Sequence, residues 1–103
     1  MNVINAIAKA RFSAARPQRI TLHEVDRFRA ELLCMEAGQS ADVHEPAGWW
    51  YYVITGQAGI GRQNGELTAV PAGQCALTAA DEPHRVRNDG PGRLVCLALR
   101  TQM

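Results

Sequence analysis

The chain has 103 residues, with 11 lysines and arginines against 10 aspartates and glutamates, giving a formal net charge of +1. That length accommodates one compact domain, and the near balance of charge gives no electrostatic reason for a nucleic-acid partner. With 47% hydrophobic residues the chain is too apolar to read as disordered, while its longest strongly apolar stretch, Trp49 to Ile54, is far too short to cross a bilayer; a soluble protein without a membrane partner is expected.

Residues 1–19 contain Lys9, Arg11, Arg16 and Arg19 and no acidic side chain, are rich in alanine, and place Val3, Ile4, Ile7 and Phe12 at roughly helical spacing. This composition predicts a basic N-terminal arm, helical or extended, ahead of a domain at 20–103. An organelle presequence shares the composition, as does a segment lying against a neighbouring subunit, but no continuous apolar run follows the basic part as a secretory signal requires. The cysteines, Cys34, Cys75 and Cys96, are odd in number and contain no Cys-x-x-Cys pair, which argues against a disulfide scaffold or structural zinc. Each lies in a strand-like segment and reads as a small buried hydrophobe. A reducing, cytoplasmic setting is the expectation.

From Arg19 onward short β-branched and aromatic segments alternate with Gly, Pro, Asn and Asp at intervals of about ten residues, the rhythm of an all-β domain. Strands are predicted at Ile20–Val25, Arg29–Glu36, Trp49–Thr55, Ala58–Gln63, Glu66–Val70, Gln74–Ala79, His84–Arg87 and Arg93–Arg100. The clearest turn is Gln63-Asn64-Gly65-Glu66, since Asn-Gly supplies the two residues tolerant of positive φ that a type I′ hairpin turn needs. Gly59 and Gly61 fall inside a strand and signal a bulge or a close backbone approach. So many short strands must bury one face each and hide their edges, which a sandwich or small jelly-roll barrel achieves.

Two of the three histidines, His44 and His84, stand where a strand meets a turn rich in Gly or Pro. The segment from Gly38 through His44-Glu45-Pro46 and Trp49-Trp50-Tyr51-Tyr52 to Gly56 resembles the first motif of the cupin superfamily: Gly, five residues, His-x-His, three or four residues, Glu, six residues, Gly. The segment from Gly73 through Pro83-His84 to Asn88 resembles the second: Gly, five residues, Pro-x-Gly, two residues, His, three residues, Asn. The resemblance implies a small RmlC-like cupin, a double-stranded β-helix or jelly-roll barrel preceded by the N-terminal arm.

Cupins of this kind hold a divalent transition metal on three histidines and a glutamate, and the carry-over here is partial. His44 matches the first histidine and His84 the last, Pro46 stands at the second, and the carboxylate position falls on Trp49 or Trp50. In the second motif Ala79 and Asp81 replace the proline and glycine. Two imidazoles are fewer than the three protein ligands of an open catalytic zinc centre, so no cofactor is expected; a metal on His44 and His84 is the alternative, and it would make the chain a dioxygenase- or isomerase-type enzyme.

On a strand, Trp49-Trp50-Tyr51-Tyr52 sends two aromatic side chains to each face. With Trp49 and Tyr51 inward, the barrel would enclose an aromatic-lined pocket whose polar groups are His44 and His84, the composition of a small-molecule site. Trp50 and Tyr52 would face out, as interface aromatics do, pointing to a homodimer. Arg85 and Arg87 alternate with His84 and should be solvated. The expected function is therefore binding of a small organic molecule in a barrel with a degenerate metal site; a sensor or assembly module is the remaining alternative.

Overall fold

The computed structural model describes residues 1–80 and 82–102. In chain order it contains α1 (Ala6–Lys9), β1 (Gln18–Glu24), β2 (Phe28–Met35), β3 (Ser40–Val43), β4 (Trp49–Thr55), β5 (Gln57–Gly61), β6 (Leu67–Pro71), β7 (Cys75–Thr78), β8 (His84–Asn88) and β9 (Leu94–Thr101). A five-stranded sheet in the order β1-β2-β9-β4-β7 faces a four-stranded sheet in the order β3-β8-β5-β6, and every paired strand is antiparallel. The strand rhythm of the sequence is realised with one addition. β3 is only four residues long and carries Ser40 and Asp42 on its exposed side, so its apolar half, Ala41 and Val43, is too short to stand out from a loop.

Side-chain alternation builds the core. Leu33 and Met35 of β2, Tyr51 and Val53 of β4, Ile60 of β5, Val86 of β8, and Leu94 and Cys96 of β9 all meet between the sheets. The opposite face of the larger sheet carries a second cluster: Leu32, Cys34 and Val95 lie beneath Ala6, Ala10, Phe12, Ile20, Leu22 and Ile54. The N-terminal arm is thus docked on its own domain. Asn5 caps α1 by accepting from the Ala8 amide at 3.2 Å, the Arg93 guanidinium sits 4.3 Å over the Phe12 ring, and the Gln39 side chain donates to the Ser13 carbonyl at 2.7 Å.

β5 and β6 do pair as a hairpin, but residues 62–66 form its loop, closed by the Gly65 amide donating to the Arg62 carbonyl, and Gly65 is not among the positive-φ glycines. The longer loop relieves Asn64-Gly65 of the type I′ geometry. Cys34 and Cys96 are buried but Cys75 is exposed, because it pairs with Tyr52 on the outward phase of an edge strand. Gly59 and Gly61 do mark close approaches: a Cβ on Gly59 would run into the Asp89 carboxylate, and one on Gly61 into the Glu66 carbonyl.

Candidate functional site

Trp49 and Tyr51 take the inward phase of β4 and are 3% and 1% exposed. Their rings lie nearly parallel, 4° apart with centroids 5.7 Å apart. His84, at the start of β8, meets the Tyr51 ring edge-on at 5.4 Å and the Trp49 ring at 6.1 Å. The Tyr51 hydroxyl and His84 Nε2 are 2.5 Å apart, and His84 Nδ1 lies 3.2 Å from the Glu82 carbonyl. A carbonyl only accepts, so Nδ1 carries the ring proton; Nε2 is then an acceptor and Tyr51 donates to it. Both groups are held neutral. Burial pulls the His84 pKa below its usual value, with a partial opposing contribution from the Glu82 carbonyl, and burial pushes the Tyr51 hydroxyl well up.

His44 stands apart from this trio. Ala41 and Val43 supply the inward phase of β3, with Val43 directly opposite His84; one residue further on, His44 turns outward, where it is exposed and its Nε2 accepts from the Gln63 side chain at 2.9 Å. Counting from Gly38 placed His44 at a ligand position that the strand's alternation does not allow. Pro46 has no donor atom in its side chain, Trp49 replaces the carboxylate, and the Nε2 of His84 is engaged by Tyr51. Among the described residues no cluster of three or more His, Cys, Asp or Glu is arranged to hold a metal ion. This donor set does not fit the metal that the two motifs imply.

Trp49 and Tyr51 fill the barrel interior rather than wall a large cavity. The space beside them, bordered also by Arg19, Glu31 and Val43, is about 30 Å³, enough for a water molecule and little more. A larger depression of about 490 Å³ opens between the edge strands β6 and β7. Its walls include Ile60, Thr68, Val70, Gln74, Cys75 and Thr78, and His84 is part of its lining. Of the four candidate pocket residues, His84 alone borders this groove.

An ion-pair network that the sequence reading did not find occupies the inner face of the large sheet next to Trp49. Glu31, 4% exposed, receives Arg19 at 2.8 Å, and Arg19 also reaches Glu45 at 3.0 Å. Arg29 lies 3.6 Å from Glu31 and 3.5 Å from Glu45, and Arg100 also pairs with Glu45. Burial pushes the Glu45 carboxyl up, but the hydrogen bond from Arg19 and the charges of Arg19, Arg100 and Arg29 outweigh it and hold the group below its usual range. The signal was present: Arg29 and Glu31 share one phase of β2 with the core residues Leu33 and Met35, and inward charges on a strand call for partners.

No curated protein matches the chain. Solved structures do. TT1209 from Thermus thermophilus superposes with a TM-score of 0.89 at 23% identity, covering 99% of this chain and 98% of that one. A conserved protein with a double-stranded β-helix domain from Klebsiella pneumoniae gives 0.88 at 22% identity, over 98% of this chain and 90% of that one. A Desulfovibrio desulfuricans RmlC-like cupin gives 0.78 at 19% identity, over 95% of each chain. At these identities the likeness speaks for the fold, the double-stranded β-helix of two facing antiparallel sheets. The family model described as "Cupin domain" matches residues 31–99, from the buried Glu31 on β2 to Leu99 on β9, and the chain belongs to the cupin family.

Proposed function

We propose that this cupin binds a small organic molecule, without a metal, in the groove between β6 and β7. The observation that carries this reading is the groove of about 490 Å³ bordered by His84, within the size range of small-molecule sites. Its walls mix apolar side chains with more polar surface, and Thr78 brings a hydroxyl that has no hydrogen-bond partner among the described residues. Binding rather than turnover is favoured because His84 spends both ring nitrogens on Tyr51 and Glu82 and keeps none for proton transfer to a ligand. Glu82 on the rim faces Arg62 at 3.7 Å. A second copy of the chain is the proposed protein partner. It would pack on the outer face of the large sheet, where Trp50 and Tyr52 stack at 6.2 Å beside Leu77, which is 75% exposed.

The groove is tested by an NMR fragment screen on uniformly ¹⁵N-labelled protein, with Thr68→Trp as the blocked control. Hits should shift the amides of residues 74–78 and 84 and lose at least tenfold in affinity in Thr68→Trp. Hits that gather elsewhere and ignore Thr68→Trp would move the site out of the groove.

A further inference from the structure

The four edge strands differ in how they are guarded. β1 and β7 bound the large sheet, β3 and β6 the small one. An open edge invites pairing with a further strand, which charges, proline or an irregular register discourage. β1 carries Arg19 and Glu24 and shifts register between Thr21 and His23, β3 carries Asp42, and β6 ends in Pro71. β7, Cys75-Ala76-Leu77-Thr78, has no charge and no proline, and its register against β4 is regular. Leu77 is 75% exposed, and Cys75 is exposed as well.

Antiparallel alternation fixes where the peptide groups of β7 point. The Val53 amide donates to the Gln74 carbonyl, so Gln74, Ala76 and Thr78 bond toward β4, while Cys75 and Leu77 turn N–H and C=O to the open edge. β7 has no neighbour on that side of its sheet. On β6 the Gln57 carbonyl accepts from the Asp89 amide, which commits Gln57, Gly59 and Gly61 to β8 and leaves Leu67 and Ala69 with outward peptide groups. Ala69, Cys75 and Leu77 all border the groove of about 490 Å³. The groove thus lies between two rows of peptide groups. On β7 the donor-acceptor pairs recur at about 7 Å, the two-residue repeat of an extended backbone.

We infer that the ligand of the groove is a short peptide that adds to β7 as a sixth strand of the large sheet. This deepens the groove reading, on which it rests. Main-chain hydrogen bonds to Cys75 and Leu77 hold the peptide, and its alternate side chains give specificity. A residue opposite Ala76 shares the inner phase of Tyr51, where Ile60, Val70 and Thr78 border the groove, so an apolar side chain suits that position. Its two neighbours in the peptide point outward beside Cys75 and Leu77.

The probe is acetyl-Thr-Val-Thr-Val-Thr-amide, compared with the same peptide N-methylated at its central threonine, which removes one edge donor. Binding is followed by ¹⁵N NMR and amide hydrogen exchange on uniformly labelled protein. The unmodified peptide should shift the Cys75 and Leu77 amides saturably and slow their exchange at least tenfold, and the N-methylated peptide should bind at least tenfold more weakly. Leu77→Pro deletes an edge N–H without removing a bond to β4 and should also weaken the peptide at least tenfold; if it does not fold, the two peptides decide alone. Equal binding of the two peptides, or unslowed exchange at Cys75 and Leu77, overturns the inference. So does slow exchange there in a peptide-free dimer, which would give the edge to a second copy. Thr68→Trp separates the inference from the groove reading. Groove fragments lost in Thr68→Trp, with equal binding of the two peptides, remove the added strand and leave the groove; a preference for the unmodified peptide that survives Thr68→Trp supports the added strand and removes the groove.

Discussion

Tyr51 donates its hydroxyl to Nε2 of His84 across 2.5 Å, and His84 donates its own ring N–H to the Glu82 carbonyl. One tyrosine thus occupies the nitrogen that a metal or a substrate would need. Removing the hydroxyl in Tyr51→Phe leaves the ring volume unchanged but strands a buried acceptor, which should cost about 1–3 kcal/mol. Urea unfolding at pH 7.5 measures it; a loss below about 0.5 kcal/mol would mean that the bond contributes nothing net.

Burial of His84 also makes stability depend on pH. His84 has a folded-state pKa below its usual value of 6.5, chiefly because of burial. The unfolded chain therefore takes up the proton first as pH falls, and stability must drop below about pH 6.5 until the folded pKa is reached. Above that window the group contributes no pH dependence. Urea unfolding between pH 7.5 and 5 should show stability falling with acid in the wild type and a flatter profile in His84→Asn; identical slopes would contradict a neutral buried His84.

Gly38, Gly56 and Gly73 have positive φ, at 82°, 90° and 87°. Only Gly56 is also crowded, since a Cβ there would lie 3.0 Å from Leu94 Cα and against the Arg93 carbonyl, whereas Gly38 and Gly73 have open space. Alanine at Gly38 should therefore cost about 1–2 kcal/mol for backbone conformation alone, and alanine at Gly56 distinctly more. Thermal or urea unfolding of the two variants checks the order; equal losses would show that the contact with Arg93 is relieved without cost.

On the outer face, Leu77, Trp50 and Leu99 are lateral neighbours on β7, β4 and β9. A second copy seated there would be lost on placing a charge at the exposed Leu77. Sedimentation velocity should show a dimer for the wild type and a monomer for Leu77→Glu with unchanged circular dichroism. A monomeric wild type at high micromolar concentration would remove the proposed partner.

What the sequence made legible was mainly backbone geometry. The positive-φ glycines Gly38, Gly56 and Gly73 are the motif glycines, and Asn88 closes the second motif by donating to the Met35 and Gly92 carbonyls and accepting from the Gly90 amide. These residues specify turns and a loop staple, so the fold survives the loss of the ligand positions between them. The strand parity of Trp49 to Tyr52 was equally readable, because period-two alternation needs only a correct strand assignment. The side of His44 was not: it depended on β3, four residues whose polar half hides the alternation. Nor was the filling of the barrel, since whether Trp49 and Tyr51 wall a cavity or close it depends on the facing sheet. The inward charges Arg29 and Glu31 were readable on β2, but their partners were not, as Arg19 and Arg100 come from separate strands that meet β2 only in register and Glu45 comes from the segment after β3.

Elemental analysis of the tag-free protein tests the metal-independent site most directly. The protein would be expressed with iron, manganese, nickel, copper and zinc in the medium and then freed of loosely held ions. With Nε2 of His84 committed to Tyr51, the expected result is far below one metal per chain, unchanged in His44→Ala and His84→Ala. Close to one metal per chain, lost when either histidine is replaced, would contradict the account.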